Sequence, residues 1–242
     1  MQEKQGAGRD LASFPIVELR QYTLHEGMRD SLIGLFEREF VETQEAFGMR
    51  VIGTFRDLDR AERFVWLRGF ADMDSRLAGL SGFYSGAAWL SHREEANATM
   101  IDSDNVLLLR TGGSSPGFDL PGSRPSRRED QGAGLILAAI EYLNTPCEAA
   151  LALFEAQVKS GLERRGISPI AWFVTEPSPN NFPRLPVRSG EQVLVWFARF
   201  GDEADERAHR LAMDEASEPL SLLRARDPEV LRLAPTSRSE LR

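Results

Sequence analysis

Residues 16–24, Ile16-Val-Glu-Leu-Arg-Gln-Tyr-Thr-Leu24, decide the fold. Apolar Val17 and Leu19 alternate with Glu18 and Arg20, the period of two expected of a strand. Glu26-Gly27 ends it. The next stretch places Met28, Leu32, Leu35, Phe36 and Phe40 three and four residues apart, which predicts a helix with one apolar face. Gly48 stands where that helix must stop. Residues 49–55 and 63–70 then predict a hairpin across the polar turn 57–62. A second helical region covers about 73–100, interrupted near Ser81-Gly82, and residues 105–110 close as a strand. The order is βαββαβ.

Working outward, the same order is written a second time. Residues 135–143 predict a strand, with Tyr142 in the place of Tyr22. Pro146 opens a helix, where its missing N–H is harmless. That helix carries Cys147, Leu151, Phe154, Val158 and Leu162 at three-four spacing and ends at Gly166. Residues 168–175 and 192–200 predict the second hairpin, 203–226 a helical region, and 230–233 the last strand. Phe36 to Phe154 and Gly48 to Gly166 are both offsets of 118, whereas Trp66 to Trp196 is 130. The difference of 12 falls in one place, the long proline-rich hairpin loop 176–190. A connection that long is often a cover over a site, here expected over the opposite repeat. Residues 112–134 are dense in Gly, Pro, Ser and Arg and read as a linker. The expected organisation is a disordered tail (1–13), a first ferredoxin-like domain (14–111), the linker (112–134) and a second such domain (135–242).

A βαββαβ unit folds as a four-stranded antiparallel sheet with both helices on one face. The other face is left bare, although either parity of the first hairpin carries large apolar side chains. Exposing several hundred Å² of it is unusual for a soluble protein. Burying it at about 25 cal/mol per Å² gains several kcal/mol. The fold class is therefore α+β: two tandem ferredoxin-like units whose antiparallel sheets pack into an α/β barrel with helices outside.

Composition narrows the function. The 242 residues carry a formal charge of -8, which argues against nucleic-acid binding. No apolar run approaches the roughly 20 residues of a membrane helix, and the polar start lacks a signal-peptide core, so the expected address is cytoplasmic. One cysteine, Cys147, and three scattered histidines leave no material for a thiolate or histidine-rich metal centre. No GxGxxG, Walker, HExxH or GxSxG pattern is present, so neither cofactor nor metal is expected.

The opening VELRQYTLHEGM, with Tyr22 and Gly27, resembles the first strand and turn of the NIPSNAP family. GFYSGAAWLSHREEANATMIDSDNVLLLR and VLVWFARF resemble segments of its two-repeat members. The resemblance implies the dimeric α/β-barrel fold, a superfamily that includes cofactor-free monooxygenases and haem-degrading enzymes. Fold alone does not fix the reaction.

Glu18, Arg20 and Tyr22 share one strand face, and Arg68 and Trp66 share the face of the neighbouring third strand. Charges inside a closed barrel are costly unless paired. Glu18 with Arg20 or Arg68 then forms either a register-fixing ion pair or an anchor for an anionic substrate. Trp89, His92 and Ala96 fall on one helical face. His92, the one side chain there with an unperturbed pKa near neutrality, is the candidate general base, against the plainer reading of a surface histidine. The expected catalytic set is His92, Arg20 and Arg68. Tyr22, Trp66, Trp89, Asn97 and Trp196 are the expected ligand contacts. The expected partner is a small hydrophobic or aromatic metabolite, with no nucleic acid or membrane and with homo-oligomerisation allowed. Two activities fit: cofactor-independent oxygenation or isomerisation of a hydrophobic or phenolic metabolite, or non-catalytic binding and scaffolding.

Overall fold

The computed structural model describes residues 14–126 and 134–242. Residues 1–13, read as a disordered tail, and 127–133 of the linker lie outside the described residues. The first half begins with β1 (Ile16–Leu24) and a helical rod made of α1 (Arg29–Leu35), a π-helical turn (Phe36–Phe40) and α2 (Val41–Glu45). The hairpin β2 (Arg50–Asp57) and β3 (Arg63–Phe70) follows. Then come α3 (Met73–Ser85), α4 (Ala87–Ala98) and β4 (Met100–Thr111). The second half repeats β5 (Leu135–Leu143), a rod of α5 (Cys147–Leu153), a π-helical turn (Phe154–Val158) and α6 (Lys159–Glu163), then β6 (Pro169–Thr175) and β7 (Gln192–Phe200). It ends with α7 (Glu203–Ser217), a 3-10 turn (Glu218–Leu223) and β8 (Glu229–Pro235). The widened turns sit 118 residues apart, the same offset as Gly48 and Gly166, both of which stop their rods at φ near +80°.

The strands close into one antiparallel barrel in the order β1-β3-β2-β8-β5-β7-β6-β4. Each half contributes four strands in ferredoxin-like order. The two seams are short: Phe55 to Asp57 on β2 against Pro235 to Leu233 on β8, and Leu109 to Thr111 on β4 against Thr175 to Phe173 on β6. Closure removes all four free edges. The interior is packed with one parity of side chain, including Leu19, Phe55, Leu67, Phe173 and Phe197. Residues 112–126 dock on this core: Phe118 packs at 5.1 Å from Phe173 and 4.9 Å from Phe197, Leu120 packs beside it, and Arg124 donates to the Val51 and Arg238 carbonyls.

Two details differ from the sequence reading. The break between α3 and α4 falls at extended Gly86, not at Ser81-Gly82. Gly82 lies inside α3, and a Cβ there would lie 2.4 Å from the Phe47 ring; it is a packing glycine. The second is a register slip. Trp66 pairs with Arg20 and Trp196 with Ala139, so Tyr22 corresponds to Glu141, not to Tyr142. Tyr142 points to the opposite face, into the barrel core, as a one-residue shift in a strand requires.

Candidate functional site

β1 and β3 place Glu18 opposite Arg68 and Arg20 opposite Trp66. These four face the helices rather than the barrel interior, which corrects the expectation of charges inside the barrel: the interior parity is apolar. Glu18 Oε2 accepts from Arg20 Nη1 at 2.8 Å and from Arg68 Nη2 at 2.6 Å, while Oε1 accepts from Arg76 Nε of α3 at 2.8 Å. All four side chains are at most 1% exposed. Three guanidiniums on one carboxylate leave a buried excess of positive charge. It is met by neutral oxygen and by π-faces. Gln44 Oε1 accepts from Arg68, Asn180 and Asn181 Oδ1 accept from Arg76, and Arg20 and Arg68 lie 5.5 and 4.9 Å from the Trp66 ring centroid. Burial alone raises the Glu18 carboxyl pKa, but Arg68, Arg20 and Arg76 together outweigh it and hold the group far below the usual carboxylate range.

Arg20 Nε donates to Tyr22 Oη at 3.0 Å. Burial pushes the Tyr22 phenol up from 10.0 despite Arg20, so at neutral pH it is a hydrogen-bond donor. Tyr22 and Trp66 form the floor of a cavity of about 110 Å³ under the helices. Phe36 and Phe40 reach in from the π-helical turn, with Phe36 4.7 Å from Trp66. Phe83, Tyr84 and Trp89 complete the aromatic wall, with Tyr84 and Trp89 rings 4.9 Å apart. Widened turns of this kind recur at functional sites. The loop 176–190 of the second half covers this wall: Phe182 stacks on Tyr84 at 5.9 Å, Leu185 lines the cavity, and Asn181 Nδ2 donates to the Met73 carbonyl.

The expected residues are therefore only partly gathered. Tyr22, Trp66, Trp89 and Asn97 surround the cavity, while Arg20 and Arg68 lie beneath its floor. His92 is a correction. It is 30% exposed, on the far side of Phe40, with Nε2 3.6 Å from Glu39 and Nδ1 3.8 Å from Glu95, and it is not part of the cavity wall. Helical spacing put it near Trp89, but the three-residue step turns it past the wall to solvent. Trp196 is also corrected: it lies in the other half, in the wall of a different cavity. Gln44, Arg76, Phe83 and Tyr84 were missed. Arg76 had a signal: it sits one turn inside a helix capped by Asp72, whose carboxylate accepts from Ser75 N, on the face turned to the sheet.

No family model and no curated protein matches this chain. Solved structures do. A protein provisionally named a monooxygenase from Lactobacillus acidophilus NCFM is 13% identical with a TM-score of 0.57, over 95% of this chain and 97% of that one. An anthrone oxidase-like protein is 9% identical with a TM-score of 0.57, over 93% and 92%. Several other similar structures are NIPSNAP-family proteins. One, a NIPSNAP-like domain protein from Burkholderia xenovorans, is 24% identical with a TM-score of 0.39, over 43% of this chain and 90% of that one. At these identities the likeness is one of fold, a closed α+β barrel. Among the described residues, no helix is long and apolar enough to cross a membrane.

Proposed function

We propose that the first-half cavity binds a single-ring hydrophobic or phenolic metabolite as its oxyanion and promotes cofactor-independent oxygenation or isomerisation of it. The observation that carries this reading is the Tyr22–Arg20 pair under an aromatic cavity, backed by three guanidiniums sharing one carboxylate. Tyr22 donates its O–H to the ligand oxygen, and Arg20 polarises the phenol from behind. The arrangement favours the ionised ligand where water cannot screen it. An electron-rich phenolate or enolate is what dioxygen requires when no cofactor supplies electrons. For a ring CH₂, one oxygen atom enters as C=O and the other leaves as water with the two hydrogens. The monooxygenase and anthrone-oxidase names of the structural neighbours support this general kind of chemistry.

The volume sets the size of the ligand. A cavity near 150 Å³ accepts benzene, so about 110 Å³ suits one ring with slight displacement of the 176–190 cover. One observation favours the second reading, a non-catalytic binder. The wall offers no carboxylate, imidazole or amine, so the chain supplies no base beside the ligand.

Titration of 4-nitrophenol, whose ionised form is coloured, tests the proposal. The bound probe is expected to ionise at lower pH than the free probe, and Arg20→Met and Tyr22→Phe are expected to abolish that shift. Absence of binding, or binding with unshifted ionisation, overturns it.

A further inference from the structure

The segment that follows the last strand of each half crosses to the opposite half and binds it in the same way. After β4, Gly112 N donates to the Trp172 carbonyl on β6, and Ser115 Oγ accepts from Trp172 N at 3.0 Å. After β8, Thr236 N donates to the Thr54 carbonyl on β2, and Ser239 Oγ accepts from Thr54 N at 3.2 Å. Between those contacts each segment meets a carboxylate in the other half's π-helical turn. Ser114 donates to Glu155 from its backbone N at 2.6 Å and from its hydroxyl at 2.8 Å. Thr236 Oγ1, Ser237 Oγ and Arg238 N donate to Glu37 at 2.6, 2.7 and 2.9 Å. Glu37 and Glu155 are 118 residues apart, as are Thr54 and Trp172.

The two clasps differ in what they hold. Glu37 is 8% exposed and lies between Phe36 and Phe40, both in the wall of the first-half cavity. Phe154 and Val158, the matching residues of the second turn, lie outside the wall of the second-half cavity. Arg238 also bonds Glu42 on α2, and Glu240 pairs with Arg50 at the start of β2, so the same segment holds the helix beyond the turn. A π-helical turn closes i→i+5 bonds, and relaxing it to the i→i+4 bonds of an α-helix would turn Phe40 relative to Phe36. A buried carboxylate that loses its donors is costly, so these bonds tie the turn to the segment.

We infer that Glu37 is a positioning residue for the first-half cavity: residues 236–238 grip it, fix Phe36 and Phe40 through it, and so limit the cavity to a single ring. The inference rests on the reading of that cavity as the ligand site and adds what sets its selectivity.

Binding of phenol and of 2-naphthol, together with amide hydrogen exchange, tests it in the full chain. Wild type is expected to bind phenol at least about tenfold more tightly than 2-naphthol, since a second ring overpacks the wall. Glu37→Ala should bring that ratio below about threefold and speed exchange across 36–40 at least about tenfold. Thr236→Val combined with Ser237→Ala removes the same bonds from the other side and should do likewise; if Glu37→Ala does not fold, this pair decides. Glu37→Gln, which keeps one acceptor oxygen, should restore most of the ratio. Glu155→Ala is the control and should leave both readouts at wild-type values. A proportional loss of both affinities, unchanged exchange at 36–40, or the same change in Glu155→Ala overturns the inference. A wild type that binds neither compound overturns the ligand-site reading and this inference with it, whereas binding with an unchanged ratio in the clasp variants overturns this inference alone.

Discussion

The two halves of the barrel share a backbone plan and invert its chemistry. In the first, a helix arginine, Arg76, reaches down to a strand carboxylate, Glu18. In the second, the helix residue at the same step after the capping aspartate is Glu206, and it reaches a strand arginine, Arg232. Arg76 and Glu206 both follow their caps, Asp72 and Asp202, by four residues, and both are buried. Both halves bury further charge at the level of the sheet, Glu141 paired with Arg224 in the second, but only the first sets charges at the positions of Glu18, Arg20 and Arg68, under a tight aromatic lid. The second has Leu137, Ala139 and Ala198 there and keeps space instead. One scaffold thus offers a small aromatic cavity above buried arginines and a roomier one edged by charged side chains, and what separates them is side-chain volume, the placing of charge and the helix α4 that the second half lacks.

Removing the carboxylate from the first half is the sharpest way to break this contrast. Glu18→Gln leaves three buried guanidiniums without their counter-charge, and we expect a loss of about 3–5 kcal/mol in denaturant unfolding. The pH dependence follows from the same group. Its folded pKa lies below its ordinary value of 4.5, so between the two the unfolded chain binds more protons and stability rises with pH. The contribution is complete above about pH 4.5 and shrinks steadily below it. Acid unfolding curves of Glu18→Gln should lack that component, whereas Leu137→Ala, at the matching position of the second half, should destabilise without changing the pH profile below 4.5.

The cover over the first half is the next contrast, since the hairpin loop of the first half is too short to return the favour. Phe182→Ala removes a buried ring stacked on Tyr84. A cost of about 3 kcal/mol is expected from lost burial and the space left behind. Limited proteolysis should then cut within 176–190 faster than in the wild type. Unchanged cutting would mean that the four prolines and the Asn180 and Asn181 bonds to Arg76, rather than the aromatic stack, hold the cover in place.

Much of this was legible in the residues and some was not, for definite reasons. β1 alternates polar and apolar residues, so Glu18, Arg20 and Tyr22 could be assigned one face, and the equal offsets of Phe36/Phe154 and Gly48/Gly166 exposed the repeated order of elements. β5 is buried on both faces along its whole length, so nothing in its hydropathy fixes its phase. Matching tyrosine to tyrosine then slipped the register by one and hid the correspondence of Tyr22 with Glu141. The sheet face bearing the charges was also ambiguous. Both parities of β3 are apolar apart from one arginine each, Arg63 and Arg68, so only closure of the barrel decides which one meets the helices. Arg76 as a partner of Glu18, and Gln44 as a partner of Arg68, were invisible because each lies on a helix whose rotation about its axis no strand pattern constrains.

A smaller pair of changes tests the shared plan itself. Asp72 and Asp202, 130 residues apart, each accept from the backbone N–H three positions on, at 2.6 and 2.8 Å. Asp72→Ala and Asp202→Ala should each cost about 1 kcal/mol. Similar losses in the two halves would show that the shared plan extends to helix capping. A marked inequality would show that the buried ends of Arg76 and Glu206 hold their helices unequally.

The smallest expected effect concerns His92, the residue that pattern reading placed at the centre of the chemistry. Its two acidic neighbours, Glu39 and Glu95, are 29% and 60% exposed, so water screens both contacts. Its ring meets the cavity only through Phe40, at a centroid distance of 6.4 Å. His92→Ala should therefore change stability by less than about 0.5 kcal/mol and leave the ionisation of bound 4-nitrophenol where the wild type has it. Tyr22→Phe, one hydroxyl smaller and fully inside the wall, should abolish that ionisation shift. If the order were reversed, proton transfer would have to reach the cavity past Phe40, and the Tyr22–Arg20 pair would be reduced to packing.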